Sequence, residues 1–252
     1  MSELQFHEIT RDSGETRRIA FRHTSGSGPN SGPTLVFLPG YMSDMEGGKA
    51  TALFTRAQEL GRACLLLDYS GCGSSEGDFA TGTLGRWRDE VLALIEAHVS
   101  GDVLLIGSSM GGWLMLLVGE ALGNRMAGMI GIAAAPDFTT WGYDADQRAK
   151  LASGEVIYED NPYGPDPTPT HPGFFADAEA NKRLTGEEIA ISCPVRLLHG
   201  QEDADVPWEV SLKLAAALRS ENIQVTLVKD GDHRLSRDSD IALLTALTDQ
   251  FY

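Results

Sequence analysis

Short, predominantly apolar runs recur along this chain, most of them separated from the next by a longer helix-like stretch. Residues 34–38 (TLVFL), 63–67 (ACLLL), 103–106 (VLLI), 129–134 (MIGIAA), 195–199 (VRLLH) and 223–228 (IQVTLV) are of this kind. A strand with one wet face alternates apolar and polar residues, because successive side chains point to opposite faces; a strand covered on both faces does not. The intervening stretches at 48–60, 83–99, 110–122, 208–219 and 238–251 predict helices. Doubly buried strands alternating with helices imply an α/β fold with a mostly parallel central sheet covered on both faces. Two further strands are expected at the start, over 4–9 and 16–23. The Gly, Ser and Pro residues of 25–33 form a connecting loop rather than a domain boundary.

A chain of 252 residues fits one such domain spanning 1–252. It buries enough surface to fold without covalent staples. The three cysteines, Cys64, Cys72 and Cys193, are odd in number and form no C-x-x-C, so neither a disulfide framework nor a cysteine zinc site is indicated. Cys64 and Cys193 adjoin apolar runs and are expected to be buried thiols. The formal net charge of −16 repels phosphate backbones and anionic membranes, which argues against nucleic acid as a partner. No apolar run reaches the length of a transmembrane segment. Residues 1–8 lack the basic and apolar regions of a secretory signal, so the expected location is cytoplasmic.

Gly107-Ser108-Ser109-Met110-Gly111 reads G-x-S-x-G between the strand at 103–106 and the helix at 110–122. Strand, sharp turn and helix are the context in which this common pattern becomes a nucleophile elbow. The turn is tight, so the positions two before and two after the serine must lack bulk. Ser109 then stands at the tip. The Met110 amide points the same way from a helix N-terminus, where free N–H groups favour negative charge.

A serine hydroxyl needs a base, and the base needs a carboxylate to orient it. With the order nucleophile, acid, base, His7, His23 and His98 come too early. His171 lies in a proline-rich stretch, and His199 precedes the acid. His233, after the last strand in Gly231-Asp232-His233-Arg234, is the candidate base. Three acids compete in the loop 200–207, namely Glu202, Asp203 and Asp205. Asp203 sits where the pattern H-G-x-x-D-x-x-V-P places its acid; Asp205 is the alternative. Asp205 and Glu202 are otherwise expected to cap or solvate the helix that Pro207 opens. The second oxyanion donor is expected after the strand 34–38, where Gly40 lets the chain turn and the Tyr41 amide faces that of Met110.

The glycines of 68–77 follow a strand, but Glu76 stands where a dinucleotide loop needs its third glycine, so the stretch reads as a structural loop. Metal and nucleotide motifs are missing, and the expected chemistry needs no cofactor. The segment 136–190 carries no strand pattern. It holds 11 acidic and 4 basic residues and seven of the 19 aromatics: Phe138, Trp141, Tyr143, Tyr158, Tyr163, Phe174 and Phe175. Five of the 11 prolines fall within 161–172, which argues against regular structure there. A long excursion of this kind is expected to act as a lid.

The stretches 38–41, 68–75, 107–116, 193–200, 206–208 and 232–234 together resemble the α/β-hydrolases, and among them the mitochondrial palmitoyl-protein thioesterase and acyl-glucuronide esterase group. The resemblance implies an α/β-hydrolase fold with Ser109 as nucleophile, Asp203 as acid and His233 as base. It implies a serine hydrolase acting on acyl esters or thioesters, S-acylated proteins among them. Small-molecule carboxylesters are the alternative substrates, and a non-catalytic binding domain is a remote one. The resemblance is poor over 136–190, where substrate choice would be set, and no mitochondrial leader is apparent.

Overall fold

The computed structural model describes residues 3–11, 14–27, 32–162 and 164–252. Its strands are β1 (Gln5–Thr10), β2 (Thr16–Thr24), β3 (Thr34–Leu38), β4 (Cys64–Leu67), β5 (Val103–Ser108), β6 (Met126–Ile132), β7 (Ile157–Glu159), β8 (Thr168–Thr170), β9 (Val195–Gly200) and β10 (Ile223–Val228). Its helices are α1 (Gly48–Glu59), α2 (Leu84–His98), α3 (Met110–Leu122), α4 (Phe138–Trp141), α5 (Ala145–Ser153), α6 (Pro172–Ala180), α7 (Glu209–Ala217) and α8 (Asp238–Thr248). Eight strands form one sheet in the order β1-β2-β4-β3-β5-β6-β9-β10. The β1–β2 and β2–β4 pairs are antiparallel, and the other neighbours run parallel.

Helices on both faces explain why the central strands are apolar throughout. Val36, Leu38 and Leu105 point to the face covered by α2, α3, α6 and α7, where Trp87, Trp113, Phe174 and Leu214 pack. Their neighbours Leu35, Phe37, Leu104 and Ile106 point to the other face, against Leu53 and Phe54 of α1 and Leu244 of α8. The strand period of two sorts each run into the two cores.

The differences from the sequence expectations have local causes. β6 begins three residues before the expected 129 and ends at Ile132, because Ala133 turns the chain with φ 45°. α7 starts at Glu209 with Trp208 as N-cap and no side-chain cap bond, so neither Glu202 nor Asp205 caps it. Cys64 is buried as expected, whereas Cys193 is only half-buried. The segment 136–190 contains the helices α4, α5 and α6 and a two-stranded ribbon, correcting the expectation that it has no strands. Pro169 lies inside β8 opposite Tyr158; a two-stranded ribbon has open edges, where a missing N–H is tolerated. Pro172 opens α6, a position whose N–H has no helical partner anyway. Tyr163 lies outside the described residues, as does part of the 25–33 loop.

The 68–77 loop is a brace. Asp68 is buried and accepts hydrogen bonds from the amides of Met45 (2.7 Å) and Ser74 (2.8 Å), joining this loop to the one after β3. Buried Glu90 of α2 accepts from the Ser70 amide at 2.9 Å, and Trp87 Nε1 donates to the Ser70 carbonyl at 3.2 Å. No α-helix opens until Leu84, so the loop is not a dinucleotide cradle.

Two glycines set how closely α3 approaches the sheet. A Cβ on Gly107 would lie 2.3 Å from the Gly111 carbonyl oxygen, and one on Gly111 only 2.1 Å from that of Leu38. Both obstacles are backbone, which cannot swing aside. Gly111→Ala is therefore expected to cost about 2 kcal/mol or more in urea unfolding. Gly173→Ala, in α6 with open space around it, is expected to be neutral or mildly stabilising. Equal effects of the two substitutions would contradict this packing.

Candidate active site

Three loops at the C-terminal edge of the parallel strands meet at Ser109. This residue caps α3 at φ 55° and ψ −121°, a conformation costly for a residue with a side chain. Backbone bonds hold it there: the Ser109 amide donates to Ile132 O (2.9 Å), and its carbonyl accepts from Gly112 N (2.8 Å) and Ala135 N (3.0 Å). His233 comes from the β10–α8 loop, where Asp232 accepts from the Leu235 amide at 2.9 Å and Leu235 is buried. Lys49 of α1 grips the same loop by donating to the Arg234 carbonyl. Burial, and next the charge of Arg234, lower the Lys49 ammonium to about 8. Asp203 comes from the β9–α7 loop.

His233 Nε2 lies 3.1 Å from Ser109 Oγ, and Nδ1 lies 2.9 Å from Asp203 Oδ2. The second carboxylate oxygen, Oδ1, accepts from the amides of Asp205 (2.9 Å) and Val206 (2.8 Å). Burial alone would raise the Asp203 carboxyl, but hydrogen bonds from His199 and His233, the charge of His233 and the Val206 amide hold it well below the usual range. The anion therefore fixes the His233 tautomer: Nδ1 donates to Asp203 and Nε2 accepts from the Ser109 hydroxyl. Asp205 is exposed. The structure thus brings Ser109, Asp203 and His233 into one hydrogen-bonded chain. Asp203, Asp205 and His233 have donor atoms within 4.8 Å of one another, but two of the three are engaged in that chain.

Ser109 opens onto a cleft of about 800 Å³ that Tyr41, Met110 and His233 also line. Neither the Tyr41 nor the Met110 amide has an acceptor among the described residues. Phe138, Trp141 and Tyr143 of the 136–190 segment supply apolar wall. Asp44, Glu159, Asp160 and Asp205 line the cleft as well, against the cations Lys49 and Arg234. Phe174 does not reach it: this ring is buried and packs on Tyr41, Trp87 and Phe138.

Two features escaped the sequence reading. His199 was weighed only as a base, yet it is fully buried with Nε2 3.1 Å from Asp203 Oδ2; the i,i+4 spacing to Asp203 was its only signal. The Tyr41 hydroxyl donates to the Pro169 carbonyl of β8 at 3.0 Å, tying the loop after β3 to the 136–190 segment.

These features define an α/β-hydrolase. The family model described as "Alpha/beta hydrolase family" matches residues 35–245, and the chain belongs to that family. It is a hydrolase homologous to palmitoyl-protein thioesterases: it is 37% identical to mouse "Palmitoyl-protein thioesterase ABHD10, mitochondrial" over 239 residues, 93% of this chain and 79% of the relative. A putative hydrolase from Agrobacterium vitis S4 superposes with a TM-score of 0.91 at 35% identity, covering 99% of this chain and all of that one. Mouse alpha/beta hydrolase domain-containing protein 10 superposes at 0.87 with 35% identity, covering 99% and 98%. Among the described residues no helix is long and apolar enough to cross a membrane.

Because the folded-state value of Asp203 lies below its ordinary 3.8, its stabilisation is complete above that pH and is lost as pH falls through the folded-state value. Asp203→Asn would turn amide hydrogens toward two histidine donors and is expected to cost about 2 kcal/mol at pH 7. In urea unfolding, the advantage of the wild type is expected to persist at pH 5 and to shrink only below about pH 3.8. An advantage already gone at pH 5 would contradict the depressed carboxyl.

Proposed function

We propose that this protein hydrolyses acyl thioesters and esters through an acyl-enzyme on Ser109. The observation that carries the reading is the hydrogen-bonded chain from Ser109 Oγ through His233 to Asp203. In this mechanism Ser109 attacks the acyl carbonyl while His233 Nε2 takes its proton. Asp203 holds the imidazole and stabilises the imidazolium. The Tyr41 and Met110 amides, both without an acceptor, receive the developing oxyanion. His233 then protonates the leaving thiol or alcohol. Water, deprotonated by the same imidazole, releases the acid and restores Ser109.

The preferred substrates are thioesters of S-acylated proteins, in keeping with the named activity of the mouse relative. The cleft has the volume of a small-molecule site and apolar wall for an acyl chain. Its acidic residues disfavour an anionic leaving group such as a sugar acid. In this reading the 136–190 segment belongs to the one domain as a lid that sets chain-length preference.

Ser109→Ala is expected to lower kcat/KM on the order of a thousandfold or more and to abolish labelling by a fluorophosphonate, with Tm unchanged. Ser108→Ala, altering the last residue of β5, is expected to cost far less. Loss of labelling in Ser108→Ala alone would reject the assignment.

A panel of C2 to C12 thioesters and oxyesters tests the lid. Trp141→Ala is expected to reduce kcat/KM increasingly with chain length, since each methylene left without wall forfeits up to about 0.8 kcal/mol. Phe174→Ala, which empties a core position, is expected to lower Tm and to treat all chain lengths alike. A uniform effect of Trp141→Ala would remove the lid from the reading.

A further inference from the structure

The Asp203 carboxylate is shared by two histidines, only one of which reaches Ser109. His199, the penultimate residue of β9, is completely buried. Its Nε2 lies 3.0 Å from the Val206 carbonyl and 3.1 Å from Asp203 Oδ2. Both neighbours only accept, so Nε2 carries the hydrogen. Its Nδ1 is 2.7 Å from Ser211 Oγ of α7, whose hydroxyl donates to it. The ring is thus held at both nitrogens beside the carboxylate.

The Val206 carbonyl takes the better-aligned share of this N–H, and Asp203 Oδ2 lies beside it. Oδ1 is meanwhile held by the Asp205 and Val206 amides. Every donor on the carboxylate is therefore fixed: two amides of its own turn, His199 from the sheet, and His233 from the cleft side. The His199 ring also ties the turn to α7 through Ser211, so the carboxylate cannot rotate without disturbing β9 or α7.

We propose that His199 is a positioning residue for hydrolysis, holding Asp203 as an anion in the rotamer that orients His233 and restraining how strongly the carboxylate pulls on the His233 proton. This inference rests on the assignment of Ser109, His233 and Asp203 to the reaction. Two histidine nitrogens face Oδ2, that of His233 at 2.9 Å and that of His199 at 3.1 Å. Removing the His199 donor leaves the carboxylate a stronger acceptor for His233, which makes the His233 imidazole more basic. It also frees the carboxylate to rotate, which lowers the fraction of molecules with His233 aimed at Ser109.

The titratable groups around this pair are Asp203 and Asp205 on the β9–α7 loop, Asp232 and Arg234 on the His233 loop, and Lys49 of α1. Asp44, Glu159 and Asp160 stand on the cleft walls. The variants below leave all of these in place apart from the Asp203→Asn control, so a shift in the pH profile of the others reports on His199.

The test compares His199→Phe, which keeps ring volume but has no N–H, with His199→Gln, whose terminal amide can place a donor where Nε2 stood. Ser211→Ala, which releases the tautomer with little change in volume, is the gentler third variant. Asp203→Asn is the control, and kcat and KM for one thioester are measured from pH 5 to 9, normalised to the fluorophosphonate-reactive fraction. His199→Phe is expected to lower kcat about tenfold, the worth of one hydrogen bond to a charged group, with KM nearly unchanged. The acidic limb of its kcat/KM profile is expected to move to higher pH. His199→Gln is expected to recover most of kcat, and Ser211→Ala to lose a smaller factor in the same direction. A fall in Tm with kcat and the acidic limb both unmoved in His199→Phe and Ser211→Ala would make the ring structural only and overturn the inference. If His199→Phe does not fold, the decision passes to Ser211→Ala and His199→Gln: a kcat and acidic limb unmoved in both overturn it, and a lowered kcat with a shifted limb in Ser211→Ala supports it. If Asp203→Asn is itself harmless, the assignment of the acid fails, and that result is distinct from a failure of His199 alone.

Discussion

The structure turns on the backbone of Ser109, held at φ 55° where a side chain is sterically disfavoured. The cost is local, but the restraint is distributed. Ile132 at the end of β6 takes the Ser109 amide, and Ala135 beyond it returns a bond to the Ser109 carbonyl. Leu38 of β3 pairs with Gly107 of β5 on the other side. The turn is thus clamped between the two strands that flank β5 in the middle of the sheet. Gly107 and Gly111 let α3 start against the strand ends, where any Cβ would strike backbone. The same clamp places the loops after β3 and β6 beside the serine. Fold and site are therefore one constraint: the sheet order that buries β5 also gathers the parts around its C-terminal end.

Buried charge supports the loops that the sheet only positions. Asp68 and Glu90 are both buried, and burial, the largest influence on each, raises both carboxyls. Each still accepts backbone amides, Asp68 from Met45 and Ser74 and Glu90 from Ser70. Loops leave some amides without a backbone partner, and an unpaired buried N–H is costly. These carboxyls thus stand in for a strand partner. Asp203 differs: hydrogen bonds and the charge of His233 overcome its burial and keep it ionised. The contrast is one of partners rather than of depth. Asp68 and Glu90 brace backbone, whereas Asp203 faces two imidazoles.

The parts of this architecture that were legible in the sequence are those fixed by local chemistry. The β5–Ser109–α3 turn shows itself because an apolar run, two glycines at fixed offsets and a helix-forming run must be adjacent in the chain. The order of strands and helices was readable for the same reason. The 136–190 segment was not, because its elements are short and depend on distant partners. Tyr143 Oη pairs with Thr170 Oγ1 at 2.8 Å across 27 residues, and Pro169, one of the five prolines that argued against regular structure, occupies the ribbon's open edge. One local signal there went unread: Asp144 and Gln147 form a capping box at the start of α5. His199 was obscure for another reason. A histidine near an acid suggests chemistry, and only the fold shows that its ring is fully buried between Ser211 and the Val206 carbonyl.

Aromatic packing joins the 136–190 segment to the site. Phe174 of α6 stacks near Phe138 with centroids 5.8 Å apart and meets Tyr41 at 4.9 Å and Trp87 at 5.8 Å. Trp87 in turn stacks on Tyr69 at 5.3 Å. These rings continue the main core upward, so α6 moves only if that core is disrupted. The β7–β8 ribbon packs through a smaller cluster, in which Ile157 and Tyr143 meet Leu151 of α5 and Phe175 of α6. Its direct polar tie to the loop after β3 is the Tyr41 hydroxyl on Pro169. Tyr41 therefore has its ring in the rigid part, its hydroxyl on the ribbon and its amide beside Ser109. A displacement of the ribbon reaches the amide through one residue, and the ring packing of that residue opposes the displacement. The ribbon thus bears on the site through Tyr41, whose ring packing in the core holds the amide near the serine.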